Sequence, residues 1–377
     1  MHRIVVLGGG YTGLAAASHL VGRTRRREDV RITVVNASAR FTERLRLHQV
    51  ASGQELAELN IPDLLPDVDL VCGWVTAVDV DARTVRIDDE RVVEYDTLVY
   101  ALGSVTDTSA VPGADEHAYT LDHAESLAHR LSGMDTGTVV VCGSGLTGVE
   151  AATEIAEQHP GLDVVLLGRA EPGAGMGEKA KAHLHDALRR LGVRVHSGDV
   201  VKVLPDAVRL AGGETIAADV VLWTSGVRVP RLARGLEADE RGRIVTDPSL
   251  RSVSHPNVYV VGDAAAVRQG FGLLHGTCQS GMPTGVHAAA SIARELNGKE
   301  PKPFRFGYYH TPVSLGRNDA VIQFTKPDGA PRKLSLTGRR AVWYKETVTS
   351  SPWPTFRRMT KMPRSGAIWP HGGRYTR

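Results

Sequence analysis

The sequence is poor in cysteine, and its cysteines are scattered. Of its 377 residues only three are cysteines, Cys72, Cys142 and Cys278, and no CxxC or CxxxxC pair is present. A redox-active dithiol and a zinc ribbon both need two cysteines close together in the chain. We therefore expect neither, and we predict no metal site. This cysteine usage is typical of a reducing compartment, so we expect a cytoplasmic location.

Long apolar segments are also missing. No run approaches the roughly 18 apolar residues that a membrane-spanning helix needs. The first ten residues, MHRIVVLGGG, lead directly into a predicted strand and a glycine turn, which is not the pattern of a signal peptide. With 42% hydrophobic and 23% charged residues, the composition is that of a globular protein with two or three domains.

Acidic residues are scarce near the C-terminus. Residues 332–377 hold 11 Lys and Arg against one acid, Glu346, although the whole chain has a net charge of only +3. Such a basic tail suits an anionic membrane at the cytoplasmic face or an acidic partner, whereas nucleic-acid binding is not expected because no reading motif accompanies the charge. The alternatives are a solvated, partly disordered tail, or a tail whose Trp343, Trp353 and Trp369 pack on its own body or on a second subunit.

A glycine turn lies between a strand and a helix near the N-terminus. In RIVVLGGGYTGLAAA an apolar run, typical of a parallel strand buried on both faces, precedes Gly8-x-Gly10-x-x-Gly13. The first glycine permits the bend, the second lets a pyrophosphate approach the backbone, and the third lets helix and strand pack closely. Residues 30–35 form the next predicted strand, and Asn36 at its end replaces the usual acid that binds ribose hydroxyls. The pattern predicts a bound dinucleotide.

The stretch TVVVCGSGLTGVEAA repeats this pattern in the middle of the chain. Gly143-x-Gly145-x-x-Gly148 follows an apolar strand and opens a helix. At the end of the next strand stands Arg169, which is either a partner for the 2′-phosphate of NADPH or a plain surface charge. Glu150, in the first turn of the helix, either complements the helix dipole or holds the nicotinamide ribose or amide.

Two dinucleotide sites on one chain indicate an electron relay in which one cofactor stays bound and the other visits. FAD with NADH or NADPH fits this arrangement, because a flavin accepts a hydride and passes electrons on singly or in pairs. We therefore expect tightly but non-covalently bound FAD, with NADH or NADPH as co-substrate.

Three further stretches carry a resemblance to a known family. YDTLVYALG (95–103) and ADVVLWTSG (218–226) are apolar strands that end in small-residue turns, and NVYVVGD (257–263) is a third that ends in Gly-Asp. In this order the motifs resemble those of the pyridine nucleotide–disulfide oxidoreductase superfamily, flavoproteins with two dinucleotide-binding domains. Unlike its disulfide reductases, this chain has no cysteine pair, so electrons are expected to leave through the flavin itself.

Within that superfamily the sequence looks most like type II NADH dehydrogenases and apoptosis-inducing-factor-like proteins. Residues 32–53, 314–324 and 336–343 carry this closer likeness. Besides the two glycine turns, the resemblance implies a set of cofactor-binding residues: Tyr11, Thr12, Asn36, Arg44, Val75, Ala101, Gly103, Arg169, Gly226, Gly262 and Asp263.

The resemblance also places the electron acceptor on the second face of the flavin. The dehydrogenases have an AQxAxQ-type helix start there, and this chain has LHGTCQSGMPTG, residues 274–285. Gln279 keeps the first glutamine, but Pro283 stands in place of the second, which puts quinone reduction in question. Cys278 is expected to be either a buried small residue or, less often, a reactive thiol.

The stretch ERLRLHQ matches family positions that approach the flavin ring. A cation there, from His48 or Arg44, would stabilise reduced, anionic flavin. The alternative is that Glu43, Arg44 and Arg46 form only a surface charge cluster. The resemblance thus implies four candidate catalytic residues: Glu150, Cys278, Gln279 and His48.

The order of the motifs predicts an α/β fold. It should contain two Rossmann-like nucleotide-binding domains of the glutathione-reductase type, the second inserted in the first, and a small α+β C-terminal domain. The predicted domains are a discontinuous FAD domain (1–107 and 244–303), an NAD(P)H domain (108–243) and a C-terminal domain with the basic tail (304–377). Alternating patterns over 308–315 and 320–325 predict strands in the last of these.

The functional expectation is an FAD-dependent NAD(P)H oxidoreductase that passes a hydride from the nicotinamide to the flavin. The electrons would go on to a quinone or another small acceptor. Two alternatives stay open: a biosynthetic tailoring flavoenzyme that acts on a small metabolite, and a redox sensor or interaction protein with slow turnover. Whether the chain forms a homodimer is also open.

Overall fold

A computed structural model describes residues 1–376, so Arg377, the last residue of the predicted tail, lies outside the described residues. The strands in chain order are β1 His2–Leu7, β2 Val30–Asn36, β3 Asp69–Cys72, β4 Val75–Asp79, β5 Thr84–Ile87, β6 Arg91–Glu94, β7 Thr97–Tyr100, β8 Val105–Thr106, β9 Ala118–Thr120, β10 Gly137–Cys142, β11 Leu162–Gly168, β12 Arg194–Ser197, β13 Val200–Leu204, β14 Ala207–Leu210, β15 Thr215–Ala217, β16 Val220–Trp223, β17 Val227–Arg228, β18 Ala233–Arg234, β19 Ile244–Val245, β20 Val258–Val260, β21 Ala265–Ala266, β22 Arg268–Gln269, β23 Gly272–Leu273, β24 His310–Ser314, β25 Ala320–Thr325 and β26 Pro331–Thr337. The α-helices are α1 Tyr11–Thr24, α2 Leu47–Ala51, α3 Ile61–Leu64, α4 Ala114–His117, α5 Ala124–Ser132, α6 Leu146–Gln158, α7 Glu178–Arg190, α8 Cys278–Glu295, α9 Gly338–Ser350 and α10 Pro352–Lys361.

The first of two parallel sheets has the strand order β20-β7-β1-β2-β3. In β1, residues 4–7 are almost wholly buried, as expected of a central strand covered on both faces. Strand β20 pairs with β7 although about 160 residues separate them, so the sheet begun at the N-terminus is completed late in the chain. This matches the discontinuous arrangement that the motif order predicts, although the exact domain boundaries stay a prediction.

The second parallel sheet has the order β12-β11-β10-β16-β9. Its central strand β10 is flanked by β11 and β16 as β1 is flanked by β2 and β7. Each central strand leads into a glycine turn and a long helix, α1 or α6. Four strands of each unit therefore follow the same order, whereas the fifth comes from late in the first unit (β20) and from the start of the second (β9). Both nucleotide-binding turns lie at the carboxyl ends of the strands. The predicted α/β fold is confirmed.

Three smaller, mainly antiparallel sheets accompany these two, together with three two-stranded pairings, β8 with β17, β19 with β21 and β22 with β23. Strands β4, β5 and β6 form a meander that β18 joins in parallel, and β13, β14 and β15 form a second one. Near the C-terminus β24, β25 and β26 form a three-stranded sheet covered by α9. The sequence patterns predicted β24 and β25 but not β26, whose residues are mostly exposed although Leu334 and Leu336 alternate with polar residues.

The basic tail is folded against the body of the protein. Phe356 and Met359 of α10 are fully buried, and the Trp353 ring stacks on Phe41 with 5.5 Å between ring centroids. Pro352 occupies the first turn of α10, where its missing N–H costs nothing, and it separates α10 from α9. The solvated-tail alternative is therefore wrong for α9 and α10, and packing on the chain's own body is correct. Within residues 1–376 no helix is long and apolar enough to cross a membrane.

Candidate active site

The first glycine turn joins β1 to α1. Gly8 has a φ of +96°, and a Cβ on Gly13 would overlap the carbonyl oxygen of Gly8. Gly10 has open space in front of it, since no atom lies within 4 Å of where its Cβ would be. Tyr11 begins α1 directly afterwards. The turn thus combines a tight bend, close helix–strand contact and an open side from which a pyrophosphate can approach the helix N-terminus.

The second glycine turn, between β10 and α6, has the same geometry. Gly143 has a φ of +130°, and a Cβ on Gly148 would overlap the carbonyl oxygen of Gly143. Gly145, like Gly10, has no atom within 4 Å of a Cβ position. Each glycine of the second turn therefore has the same steric role as its counterpart in the first. This indicates a second nucleotide site that also lies at a helix N-terminus.

The residues at the ends of β2 and β11 differ in their contacts. Asn36 Oδ1 accepts a hydrogen bond from the Gly9 N–H at 2.8 Å, and its Nδ2 donates to the Ser38 carbonyl at 2.8 Å. Asn36 therefore braces the first turn, and its remaining lone pair and N–H are what it can offer a ribose. The Arg169 side chain is 78% exposed and lies 3.6 Å from Asp199, which leaves its guanidinium accessible to a nucleotide.

A polar cradle forms where β20 meets α8. Gly262 has a φ of +67°, and its N–H donates to Thr284 Oγ1 at 2.9 Å. A Cβ on Gly262 would lie 2.9 Å from Thr12 Oγ1 at the start of α1. Asp263 Oδ2 accepts a hydrogen bond from Ser104 Oγ at 2.9 Å. A carboxylate beside a glycine turn and a helix N-terminus suits the ribityl and pyrophosphate parts of FAD, so the residues present fit this cofactor.

Four more expected cofactor residues lie around these turns. Ala101 is buried, and its carbonyl is so close to Gly8 that a Cβ there would overlap it. Gly103 (φ +67°) and Gly226 (φ +77°) follow β7 and β16, the strands next to β1 and β10. Val75 is the half-buried first residue of β4. Their positions agree with nucleotide contact, but their individual roles stay predictions.

Glu150 forms a buried ion pair with the C-terminal part of the chain. Lys345 Nζ of α9 lies 2.6 Å from Glu150 Oε1, and the side chains are only 9% and 15% exposed. The backbone N–H of Ser314 donates to the same oxygen at 3.0 Å. Burial alone would raise the pKa of Glu150, but Lys345 and Ser314 outweigh it and lower that pKa. Glu150 is therefore an anion held by the C-terminal sheet and helix, and any contact with the nicotinamide is left to its Oε2.

His48 is buried next to this pair, on α2. Its side chain is 4% exposed, and its Nε2 has no hydrogen-bond partner among the described residues. Burial lowers the pKa of His48 to about 4 despite the nearby carboxylate of Glu150. Burial therefore favours the neutral imidazole over the cation that was expected to stabilise reduced flavin, and the place of His48 beside the flavin stays a prediction. What it offers instead is a neutral imidazole beside a carboxylate and an ammonium.

The charges around Arg44 are not the plain surface cluster that was the alternative. Glu43 and Arg46 are only 15% and 13% exposed, and Arg46 Nη2 lies 2.9 Å from Glu346 Oε2 in α9. Arg44 is half exposed, and its Nη1 lies 2.9 Å from Asp122 Oδ1 in the second unit. The segment therefore uses its charges to link all three parts of the chain. Arg44 stays the candidate cation, although Asp122 already pairs with it.

Cys278 and Gln279 begin α8. Burial, reinforced by Asp263, raises the pKa of the Cys278 thiol to about 12, so the thiol is neutral at pH 7. The side chain of Cys278 is only partly buried. A neutral thiol favours a packing role over a reactive one, and the role of Cys278 stays a prediction. Gln279 Nε2 donates to the His310 carbonyl at 3.0 Å, and its Oε1 accepts from the Tyr309 N–H at 3.4 Å. Gln279 thus ties α8 to β24.

Pro283 lies inside α8, in its second turn. Because proline has no N–H, the carbonyl of Gln279 receives no helical hydrogen bond from it. Pro283 is buried, so it fills space where the related dehydrogenases would present an amide.

The family is settled by the match of its sequence profile. The profile of the pyridine nucleotide-disulphide oxidoreductases matches residues 2–291, which include both glycine turns and the Asp263 cradle. The chain belongs to this family. All three cysteines of this oxidoreductase are free. It is an NAD(P)H-dependent flavoprotein oxidoreductase, with FAD as cofactor and NADH or NADPH as co-substrate.

Two relatives cover nearly the whole oxidoreductase. An NADH dehydrogenase-like protein of Mycobacterium tuberculosis is 31% identical over 385 residues, which is 93% of this chain and 94% of the relative. A type II NADH:quinone oxidoreductase of Staphylococcus aureus is 28% identical over 396 residues, 92% of this chain and 94% of its own length. Both alignments extend beyond residue 291, so the C-terminal sheet and helices are shared as well.

Solved structures show the same fold at low identity. The sulfide:quinone oxidoreductase of Aquifex aeolicus has a TM-score of 0.80 at 18% identity and covers 96% of this oxidoreductase and 93% of its own chain. NDH2 of Plasmodium falciparum, in complex with NADH, has a TM-score of 0.78 at 13% identity. The match covers 96% of this oxidoreductase and 97% of the NDH2 chain. At these identities the likeness supports the fold alone.

Sequence reasoning about this oxidoreductase missed Lys345, which it counted only as one charge of the basic tail. A signal was present: Ala341, Lys345 and Thr349 recur every four residues and lie on one face of α9, and all three are buried. A lysine on the apolar face of an amphipathic helix requires a buried partner. The sequence could have indicated that such a partner exists, but only the fold identifies it as Glu150.

Proposed function

We propose that the protein reduces a quinone-type acceptor with electrons from NADH or NADPH. The observation that carries this proposal is the buried pair of Glu150 and Lys345 beside the neutral His48. Reduction of a quinone to a quinol takes two electrons and two protons, and a hydride brings only one proton. A carboxylate and an ammonium shielded from water are suited to hold and deliver a proton at such a site.

The pair lies on the side of the fold where the acceptor is expected. Cys278, at the start of α8, is close enough to Lys345 for the ammonium to act on its thiol. His310, whose carbonyl binds Gln279, also lies within reach of the Lys345 charge, and with burial this charge lowers the pKa of His310 to about 4. The proton-holding groups and the beginning of α8 therefore border one region of the protein.

The cofactors would be held by the two glycine turns. When bound, FAD accepts a hydride and releases electrons to an acceptor. The first turn, Thr12 and Asp263 would bind it, and the second turn with Arg169 would bind the nicotinamide nucleotide. Strand β24, which packs against both α6 and α9, helps to keep water from Glu150 and Lys345. Lys345 would donate a proton to an acceptor oxygen, and Glu150 would keep that ammonium in place.

The relatives support a quinone as acceptor. The Staphylococcus aureus protein is a type II NADH:quinone oxidoreductase, and the likeness extends through the C-terminal part that supplies Lys345. In the alternative, the protein is a tailoring flavoenzyme that reduces or oxidises a small metabolite. The contacts of Gln279 with β24, together with Pro283, favour this alternative, because they leave the acceptor side without a pair of glutamines.

Anaerobic stopped-flow spectroscopy of the flavin-loaded protein tests the proposal. The flavin absorbance is followed on mixing with NADH or NADPH, and then on mixing the reduced protein with a soluble quinone or with oxygen. We expect fast bleaching and much faster reoxidation by the quinone than by oxygen. Fast bleaching without reoxidation by the quinone would reject a quinone acceptor in favour of a metabolite or of slow, sensor-like behaviour.

We also propose that the C-terminal part contacts an anionic membrane surface, where a lipid-soluble quinone resides. The basic residues of this part stand among exposed apolar side chains: Trp343 is 72% exposed, Met362 62% and Ile368 83%. Exposed apolar groups between cations are typical of proteins that bind the headgroup region of a bilayer. A homodimer stays a prediction.

A further inference from the structure

We propose that Glu154 is a buried proton relay that exchanges protons between solvent and Glu150 while the acceptor is reduced. The inference rests on the proposed function and adds to it a positioning residue that acts through Glu150. Glu154 lies in the middle of α6, one helical turn after Glu150, and its side chain is 0% exposed.

The contacts of Glu154 leave half of its carboxyl group without a partner. Oε1 accepts a hydrogen bond from Gln54 Nε2 and lies 3.9 Å from Arg317 Nε. Oε2 is buried and has no hydrogen-bond partner among residues 1–376. A buried carboxylate with an unpaired oxygen is costly, and taking up a proton relieves that cost. Burial accordingly raises the pKa of Glu154 to about 7, against the opposing effect of Arg317.

The position of Glu154 on α6 gives it a neighbour on either side. Glu150, Glu154 and Glu157 are spaced by four and three residues, so they lie on one face of the helix with about 5–6 Å between neighbouring Cβ atoms. Glu150 meets Lys345 at the inner end. Glu157 is half-buried at the outer end, where it accepts hydrogen bonds from the Arg317 N–H and from Asn318 Nδ2 at 3.2 Å. The carboxylates form a path from the acceptor side to the surface.

Charged groups face this path from several elements. Glu150 and Glu157 face Glu154 from its own helix, Arg317 faces it from the loop between β24 and β25, and Gln54 is neutral. Glu150 is faced in turn by Lys345 of α9 and by neutral His48 of α2. Glu154 is thus the member of the row that both keeps a proton near neutral pH and stands between the solvent-side and acceptor-side carboxylates.

The reaction balances with one proton taken from solvent. NAD(P)H, one proton and a quinone give NAD(P)⁺ and a quinol, in which the hydride supplies two electrons and one of the two protons. Lys345 gives the second proton to the acceptor oxygen and regains a proton from Glu150. Glu150 takes its proton from Glu154, and Glu157 returns a proton from solvent to Glu154. Only O–H and N–H bonds form and break along this path.

The test compares Glu154→Gln, which keeps the shape but cannot release a proton, with Glu154→Asp, which keeps a titrating carboxyl. Glu178→Gln, at an exposed carboxylate of α7, is the control. In stopped flow with NADH we expect bleaching of the flavin within about twofold of the wild type in all variants. Reoxidation by a soluble quinone should be about tenfold slower or more in Glu154→Gln, and partly restored in Glu154→Asp. The wild-type reoxidation rate should fall as the pH rises through about 7, and that dependence should vanish in Glu154→Gln.

A second readout needs no turnover. Infrared spectroscopy of the oxidised holoenzyme should show a protonated-carboxyl band that the wild type loses as the pH rises through about 7 and that Glu154→Gln lacks. The relay would be overturned if Glu154→Gln were reoxidised by quinone at the wild-type rate and with the wild-type pH profile. Absence of the protonated-carboxyl band from the wild type would also overturn it. Failure of the wild type itself to react with quinone would instead overturn the proposed function.

Discussion

Lys345 Nζ and Glu150 Oε1 lie 2.6 Å apart although 195 positions separate the two residues in the chain. One is on α9 near the C-terminus and the other on the helix that follows the second glycine turn. The contact joins the C-terminal sheet and helix to the nicotinamide-binding unit. The C-terminal part is therefore structurally part of the candidate site and not an appendage to it.

Replacing Lys345 with Met should strongly destabilise the protein. The substitution leaves the Glu150 carboxylate buried without its cation, and loss of one partner of a buried pair costs about 3–5 kcal/mol of the free energy of unfolding. Urea unfolding monitored by flavin fluorescence measures the loss. The double variant Lys345→Met with Glu150→Gln should recover much of it, whereas Lys361→Met, at an exposed site, should change little. Equal stabilities of Lys345→Met and Lys361→Met would contradict a structural pairing.

Replacing Gly22 with Ala should loosen the C-terminal helix. A Cβ on Gly22 of α1 would overlap the carbonyl oxygen of Met359 in α10, so the helices must move apart. We expect the free energy of unfolding to fall by about 1–3 kcal/mol, as it does when other well-packed contacts are overfilled. The matched control is Gly133→Ala, where the nearest atom would lie 3.8 Å from the new Cβ and the backbone φ of −92° suits alanine. Limited proteolysis should cut after α9 sooner in Gly22→Ala than in the control.

Arg169 should determine the use of NADPH over NADH. Arg169 directly follows β11, and its guanidinium is exposed. Charge-assisted pairing with a 2′-phosphate contributes about 1.5–3 kcal/mol to the free energy of binding. Arg169→Ala should therefore raise the KM for NADPH about tenfold or more and change that for NADH less than about twofold. Arg194→Ala, on the neighbouring strand β12, is the control. Equal changes for both nucleotides would show that Arg169 does not read the phosphate.

The buried neutral His48 should make stability fall at mildly acidic pH. The pKa of His48 is about 4 in the folded protein, against 6.5 for a histidine exposed to water, so the folded form resists protonation. The contribution of neutral His48 to the free energy of unfolding is fully present above about pH 6.5. It is lost as the pH falls toward about 4, and the loss amounts to at most about 3 kcal/mol. His48→Asn should flatten that part of the pH–stability curve, and His129→Asn, at an exposed site, should leave it unchanged. His19 and His310, also with pKa values lowered to about 4, keep part of the slope in both variants.

Membrane contact should depend on both charge and exposed apolar groups. The protein is expected to float with vesicles of anionic lipid and much less with zwitterionic vesicles, and salt should weaken the binding. Combined Trp343→Ser and Ile368→Ser should reduce flotation without changing bleaching by NADH. Val227→Ser, which alters an equally exposed apolar residue of the second unit, is the control. Flotation that depends on neither lipid charge nor these residues would exclude the proposed surface.

Local patterns were sufficient for the two nucleotide-binding units. The strand predicted over residues 30–35 differs from β2 by one residue, and both glycine turns join a strand to a helix as predicted. These elements are read well because a buried parallel strand is uniformly apolar and each glycine turn has a steric requirement visible in the residue type. Strand β26 was missed although Leu334 and Leu336 alternate with polar residues, because this pattern is short and the strand is mostly exposed.

The burial and charge state of the site side chains could not be predicted from local sequence patterns. His48 and Cys278 were identified from a resemblance, but whether they are charged depends on burial created by distant segments. Gln279 was expected to face the acceptor, yet its amide is bound to the backbone of β24.

The sequence by itself determined the two Rossmann-like units, their glycine turns and the lack of closely spaced cysteines, because these depend on residue type and spacing along a short stretch of chain. Only the tertiary structure decided that the basic tail packs on the body, that Lys345 meets Glu150, and that Glu154 is buried with an unpaired oxygen. The reason is that ion pairing and desolvation depend on which residues become neighbours in space, and these neighbours come from segments far apart in the chain.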